Sequence, residues 1–333
     1  MQIFPTQYSL LSAAALKDEL EKKYGFSNTT CRLLIHNVGD TYLLESPEAK
    51  YIFKIYRDAH RKRDEIEGEL ELLNALYRGG ASVAIPIQDL KGNLIQAFNA
   101  AEGTRHGVLF TYANGQVVQE LNDDQLITLG RELGLIHEIS SQLQLSYSRK
   151  DFDLNSMVFE PLERIKPSFK GLEAEYIDLA AMAGQVAEKI AAMDLDSFAH
   201  GYCHYDLLPK NFHFDQDGTV TFFDFDFAGK GYLVNDLASF YAHYFLLVLH
   251  QKISQQEADR AFAVFINSYR SVRPLSEAEF EAISYFGFCW WIFYFGFHYD
   301  NFEDWSNFFF GPRFIKERVG WIRKWFEWYI LSV

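Results

Sequence analysis

The spacing of hydrophobic and polar positions changes character twice along the 333-residue chain. In TTCRLLIHNVGDTYLLES (29–46) and AKYIFKIYR (49–57), β-branched and aromatic residues dominate, broken at Asn37-Val38-Gly39-Asp40 and at Ser46-Pro47-Glu48. This predicts strands joined by a glycine turn. From Asp58 to Arg78 the period becomes helical, with Ile66, Leu70, Leu73 and Leu76 three or four apart and Gly79-Gly80 as the stop. VAIPIQDLKGNLIQAF (83–98) and HGVLFTYANG (106–115) then predict further strands. Residues 1–113 therefore read as a mostly antiparallel sheet with one inserted helix. Beyond Gly115 helices take over: Leu126, Leu129, Leu133 and Ile136 share one face behind Asn122 as cap. A second helix is predicted over 171–193, and the aromatic stretch 235–330 is helical by period. Only residues 200–227 interrupt this with short strands and loops. The class is α+β, with a sheet lobe (1–113) before a larger, mainly helical lobe (114–333).

Composition narrows the function. With 31 basic and 45 acidic residues the formal net charge is −14, which repels nucleic acid and anionic membranes. Neither is expected as a partner. Three distant cysteines without Cys-x-x-Cys spacing suggest no disulfide framework or zinc site and fit a reducing cytoplasm. The N-terminus lacks the basic region of a signal peptide. The aromatic run 286–297 is too short to span a bilayer and is expected to be a buried helix.

The chemistry concentrates in HGYCHYDLLPKNFHFDQDGTVTFFDFDFAGKGYLVNDLA (200–238). The hairpin signal Asp215-Gln216-Asp217-Gly218 separates two strand-like pieces, so Asp206 and Asn211 precede one strand and Asp224 ends its partner. Phosphoryl transfer needs a carboxylate to orient and deprotonate the attacking hydroxyl, and oxygen ligands to hold Mg²⁺ against the phosphates. His204-x-Asp206, Asn211 five residues on, and Asp224-Phe225-Asp226 after a short hairpin have the order and spacing of a kinase catalytic loop and metal-binding Asp.

On these motifs the chain resembles the aminoglycoside phosphotransferase and choline kinase superfamily, which also holds type II homoserine kinases. The similarity is clearest over 196–240. It implies a protein-kinase-like two-lobed fold, ATP and Mg²⁺ as cofactors, Asp206 as catalytic base, His204 as a brace for its loop, and Asn211 and Asp224 as metal ligands. It also implies that Asp226 assists metal or substrate and that Asp236 fixes the loop. Two departures stand out: Tyr205 occupies the position of a common glycine, and Leu208 leaves no cation two residues after the base, although Lys210 is near.

For the nucleotide, Lys54 alternates with Phe53 and Ile55 and should face away from them, toward phosphates. Glu69 is its partner by resemblance, with Glu65 and Glu71 as competitors. No Gly-x-Gly-x-x-Gly is present, and the turn at Gly39 is the nearest substitute. VLFTYANG resembles a lobe hinge in which backbone groups of Thr111 and Ala113 would read adenine. On the acceptor side, Trp291, Asp300 and Glu303 are candidates for a cationic substrate, by resemblance and by cation–π attraction. The expected activity is transfer of the ATP γ-phosphate to a hydroxyl of a small, amine-bearing molecule. A Ser/Thr protein kinase of the same superfamily and a nucleotide-binding pseudokinase module are the alternatives.

Overall fold

The computed structural model describes residues 6, 8–58, 60–305 and 310–331, with 302–305 described by backbone alone. They separate into two compact units: Met1–Gln116 with Gln144–Ser148 and Thr221–Phe223, and Val117–Leu143 with Arg149–Val220 and Asp224–Val333.

The first unit is built on five antiparallel strands, β1 (Thr30–His36), β2 (Asp40–Glu45), β3 (Lys50–Tyr56), β4 (Ile95–Ala100) and β5 (Gly103–Thr111), in the order β1-β2-β3-β5-β4. A helix not foreseen from the sequence, α1 (Ala13–Tyr24), starts where the Ser12 side chain accepts from the Ala15 N–H and stops at left-handed Gly25. Its Leu16, Leu20 and Tyr24, four apart, pack with Tyr42, Leu44, Phe53, Ile55 and Leu109 of the sheet. The predicted helix between β3 and β4 is α2 (Arg63–Arg78), which buries Ile66, Leu70, Leu73 and Leu76. Residues 83–87, expected as a strand, make only isolated bridges. Pro86 has no N–H to give, and Val83 and Pro86 meet Phe222 and Phe110 singly.

The second unit is mostly helical. Helix α3 (Asp123–Ser140) opens with the expected Asn122 cap, whose side chain accepts from the Gln125 N–H while the Gln125 side chain accepts in return. After α4 (Glu160–Ile165) and α5 (Glu173–Ala191) come β6 (His200–Cys203), β7 (Phe212–Phe214) and β9 (Gly229–Tyr232), with β6 paired to β9; β8 (Val220–Phe222), between β7 and β9 in the chain, has its Thr221 and Phe222 in the first unit. Four helices follow: α6 (Val234–Leu249), α7 (Gln255–Arg270), α8 (Glu277–Trp305) and α9 (Pro312–Tyr329). The aromatic run is indeed the buried middle of α8, where Phe288, Trp290, Trp291, Ile292 and Phe295 are all within 2% of full burial. Truncating one such aromatic ring costs about 3–5 kcal/mol, so this helix anchors the unit. No helix among the described residues is long and apolar enough to cross a membrane. The expected α+β class, an antiparallel sheet unit followed by a larger helical one, is what the chain adopts.

Candidate active site

The loop after β6 carries His204, Asp206 and Asn211, all buried to within 3%. Its path is set from α6. Asp236, in the first turn of that helix and fully buried, accepts from the backbone N–H of His204 (2.8 Å) and of Tyr205 (2.7 Å) and from His137 Nε2 (3.0 Å). The helix N-terminus and three donors satisfy the buried carboxylate. His137, on α3, meets the Tyr269 hydroxyl through Nδ1 at 2.9 Å, so its two ring nitrogens link Asp236 to Tyr269.

Tyr205 takes the left-handed conformation, φ 63°, that a glycine would adopt without cost. Its fully buried ring stacks on Phe152 at 3.6 Å between centroids, its hydroxyl accepts from Asn235 Nδ2 at 3.2 Å, and its carbonyl accepts from Trp290 Nε1 at 2.8 Å. Gly231 makes the slot: a Cβ there would stand 2.0 Å from the Tyr205 hydroxyl.

Held this way, Asp206 meets two side chains of its own loop. Asn211 Nδ2 donates to the Asp206 carbonyl and to its Oδ2, both at 2.8 Å, and Lys210 Nζ lies 2.7 Å from the same Oδ2. The other oxygen, Oδ1, is buried with no hydrogen-bond partner among the described residues. One oxygen is thus fixed and the other left as acceptor, the arrangement a base needs to receive a hydroxyl proton. Lys210 also reaches the Tyr294 hydroxyl at 3.4 Å. Burial works against its charge, but the Asp206 carboxylate, and after it Tyr294, raise its pKa above the ordinary lysine value, so it remains a cation. Burial, then Asp206, pushes the Tyr294 hydroxyl up to about 12.

Asp224 stands exposed in a left-handed conformation, φ 61°, ahead of the turn Phe225–Phe227, and Asp226 is buried in that turn. Arg149 clamps the turn, donating from Nε to the Ala228 carbonyl at 2.7 Å and from Nη2 to those of Asp226 at 2.6 Å and Phe225 at 3.2 Å. With both Nδ2 hydrogens of Asn211 directed at Asp206, its side-chain oxygen is the group it can offer a metal. Asn211 and Asp224 are hard oxygen donors, which suits Mg²⁺. No group of three or more His, Cys, Asp or Glu among the described residues could hold a metal alone, so phosphate and water oxygens would complete its shell.

In the first unit, Phe53 and Ile55 are fully buried while Lys54 lies partly exposed on the opposite face, as alternation requires. Lys54 Nζ sits 4.9 Å from the Tyr56 ring, and the Tyr56 hydroxyl donates to buried Glu69 at 3.2 Å. The competing acids have other tasks: Glu65 caps α2 by accepting from the Lys62 N–H, and Glu71 accepts from the N–H of Ser146 and Tyr147. Gly39 passes so close to β3 that a Cβ would lie 2.9 Å from the Ile55 carbonyl. Thr111 has its N–H committed to the Ile85 carbonyl at 3.0 Å, and Ala113 is buried. On the acceptor side, Trp291 is 1% exposed within the aromatic core, and Asp300 forms an exposed ion pair with Arg164 at 3.2 Å. The Glu303 side chain lies outside the described residues.

Sequence reasoning missed His137, Tyr269 and Arg149. A histidine on the apolar face of α3, one step from Leu133 and Ile136, was the visible signal for the first, whereas Arg149 lies in an unpatterned segment.

A kinase-like fold with this loop defines a phosphotransferase. The chain belongs to the phosphotransferase enzyme family (APH), whose model matches residues 31–275. Amicoumacin kinase of Bacillus subtilis is 29% identical over 71% of this chain and 68% of its own. An amicoumacin kinase solved with AMP-PNP, Ca²⁺ and its antibiotic superposes with a TM-score of 0.74 at 21% identity, covering 93% of this chain and 94% of that one. A microcompartment-associated aminopropanol kinase gives 0.72 at 20% identity over 94% and 95%.

Proposed function

We propose that the protein transfers the γ-phosphate of ATP, with Mg²⁺, to a hydroxyl of a small amine-bearing molecule. The observation that carries this reading is Asp206, one oxygen held by Asn211 and Lys210 and the other unpartnered, on a loop pinned by Asp236. Asp206 receives the hydroxyl proton, and His204, whose Nδ1 accepts from the Asp206 N–H at 3.3 Å, braces the loop. Asn211 and Asp224 would hold the metal, which when bound would neutralise phosphate charge. Lys54, positioned through Tyr56 and Glu69, meets the phosphates on the nucleotide side, with the turn at Gly39 over them. Similarity to an aminopropanol kinase favours an acceptor that bears an amine. Three free thiols, Cys31, Cys203 and Cys289, support a reducing, cytoplasmic setting.

The test is ATP consumption with Mg²⁺ across amino alcohols, hydroxy amino acids and aminoglycosides. A positive acceptor should lose at least about 10²-fold in turnover in Asp206→Asn, with the KM for ATP little changed. Retention of wild-type turnover by that variant sinks the assignment.

A further inference from the structure

Among the described residues Arg318 has no ion-pair partner, although the Glu317 carboxylate is near enough to favour its charge. It lies on α9 at the centre of three rings, with its guanidinium carbon 4.3 Å from the Trp321 centroid, 5.1 Å from Phe314 and 5.6 Å from Trp291. Phe314 and Trp321 flank it at i−4 and i+3 on its own helix, and Trp291 comes from α8. The side chain is partly exposed, yet its Nε is buried with no hydrogen-bond partner, and it forms no ion pair among the described residues. The indole N–H of Trp291, in the same cage, is likewise buried without an acceptor. The cluster is short of acceptors, not donors. Burial lowers the Arg318 pKa to about 10, so it still carries its charge at neutral pH. Face-on aromatic contact offsets part of that desolvation but supplies no oxygen for the guanidinium fork, which matches a carboxylate in geometry.

A chain of side-chain contacts links the cage to the loop of Asp206. Trp291, Tyr294 and His298 follow one face of α8 at i, i+3 and i+7. The Tyr294 hydroxyl receives Lys210, itself 2.7 Å from Asp206 Oδ2. The Tyr294 ring meets His298 at 4.7 Å, and His298 meets Phe314 of the cage at 5.7 Å. Linked to the proposed base there is thus a cation lacking an ion-pair partner among the described residues, while Asp300, expected to draw a cationic substrate, is engaged with Arg164 on the surface.

We propose that Arg318 binds a carboxylate of the acceptor, so that the acceptor is a hydroxy acid, and with the amine already inferred a hydroxy amino acid, whose hydroxyl lies at Asp206. This rests on the kinase reading and adds the anionic half of the substrate. The alternative, a cation held by its rings for stability alone, makes no demand on the ligand.

Matched pairs differing only in the carboxylate decide between them: homoserine with 3-aminopropan-1-ol, threonine with 1-aminopropan-2-ol, and serine with 2-aminoethanol. Binding to the full chain is followed by tryptophan fluorescence, since Trp291 and Trp321 flank the guanidinium, with and without AMP-PNP and Mg²⁺. ATP consumption is measured separately, so failure of the kinase reading shows as no turnover with any compound. In at least one pair the carboxylated member should bind about 10- to 100-fold tighter, the range of a charge-assisted hydrogen bond. Arg318→Met, which keeps the packing, should abolish that preference without weakening the decarboxylated partner. Arg318→Lys should restore part of it, and Arg323→Met, an exposed arginine of the same helix, should leave it intact. Melting temperatures of all variants exclude misfolding as the cause. Equal binding within every pair, binding by no carboxylated member, or an Arg318→Met variant that is destabilised with its preference unchanged overturns the proposal.

Discussion

Asp236 touches no substrate in this scheme, yet Asp236→Asn should disable transfer. The two carboxylate oxygens serve different donors: Oδ1 takes the Tyr205 N–H, and Oδ2 takes the His204 N–H and His137 Nε2. An amide has one oxygen, so its better rotamer keeps the Oδ2 pair and turns an NH₂ group against the Tyr205 N–H. That leaves a buried donor facing a donor, about 1–3 kcal/mol by itself, and removes the charge that strengthens the remaining bonds. The sum is roughly 2–4 kcal/mol of destabilisation, concentrated where the loop turns through Tyr205 into Asp206. Displacing the base by about 1 Å costs on the order of 10²-fold in rate. The assay is steady-state phosphorylation of an established acceptor well below the variant's own melting temperature. kcat should fall by about that factor, with the KM for ATP essentially constant. His137→Gln, which perturbs only one of the three donors, should be milder in both melt and rate. An Asp236→Asn protein with wild-type kcat and wild-type melting temperature would refute the bracing role.

Lys210→Met should lower kcat by about 10²-fold, because it removes the cation that fixes Asp206 Oδ2 and so leaves the base free to turn away from the acceptor hydroxyl; an unchanged kcat would confine this lysine to packing on Tyr294. Lys54→Met and Glu69→Gln, which share Tyr56, should combine non-additively by at least about 0.5 kcal/mol in kcat/KM for ATP, whereas Glu65→Gln should add simply to either. His298 carries a pKa lowered to about 3 by burial, then by Arg318 and Lys210, from an ordinary 6.5. Between those values the unfolded chain takes up a proton that the folded chain refuses. Stability present above pH 6.5 is therefore lost as the pH falls toward 3, with a slope near 1.4 kcal/mol per pH unit from this group. Urea titrations at pH 7.5 and 5.5 should show the difference shrinking in His298→Gln, and an equal difference in both proteins would exclude it.

What was legible in the sequence is what local pattern encodes. Alternation placed Lys54 opposite Phe53 and Ile55, periodicity and a cap residue delimited α3, and the spacing of Asp206, Asn211 and Asp224 marked the block proposed as reactive. The contacts that were not legible are long-range. His137 and Asp236 are 99 residues apart, and Arg149 reaches carbonyls 76 to 79 residues on. What surrounds the three acids of α2 was likewise not legible: Glu69 is buried, Glu65 accepts from the Lys62 N–H and Glu71 from the N–H of Ser146 and Tyr147. Arg318 carries no motif, because the ring of Trp291 beside it comes from a distant part of the chain. Residues 83–87 misled for the opposite reason: their β-branched composition is that of a strand, but Pro86 breaks the ladder.

The position of Tyr205 shows how the site stays ordered although its loop places a bulky residue in the left-handed backbone region. Two residues at the site, Tyr205 and Asp224, occupy the left-handed region, each at about 1–2 kcal/mol relative to an unstrained backbone. Such strain persists only where the surroundings overdetermine it. At Tyr205 they do: the N–H is fixed by Asp236, the carbonyl by Trp290, the hydroxyl by Asn235 and the ring by Phe152. At Asp224 the following turn is held through three carbonyls by Arg149. A glycine in the first position would remove the strain together with the side-chain anchors on Phe152 and Asn235. The missing Cβ at Gly231 is therefore the partner of the bulky Tyr205, since a side chain there would collide with its hydroxyl. Preorganisation here rests on buried aromatic and amide contacts more than on glycine, which lets Asp206 present one unpartnered oxygen from a loop that has little freedom to move.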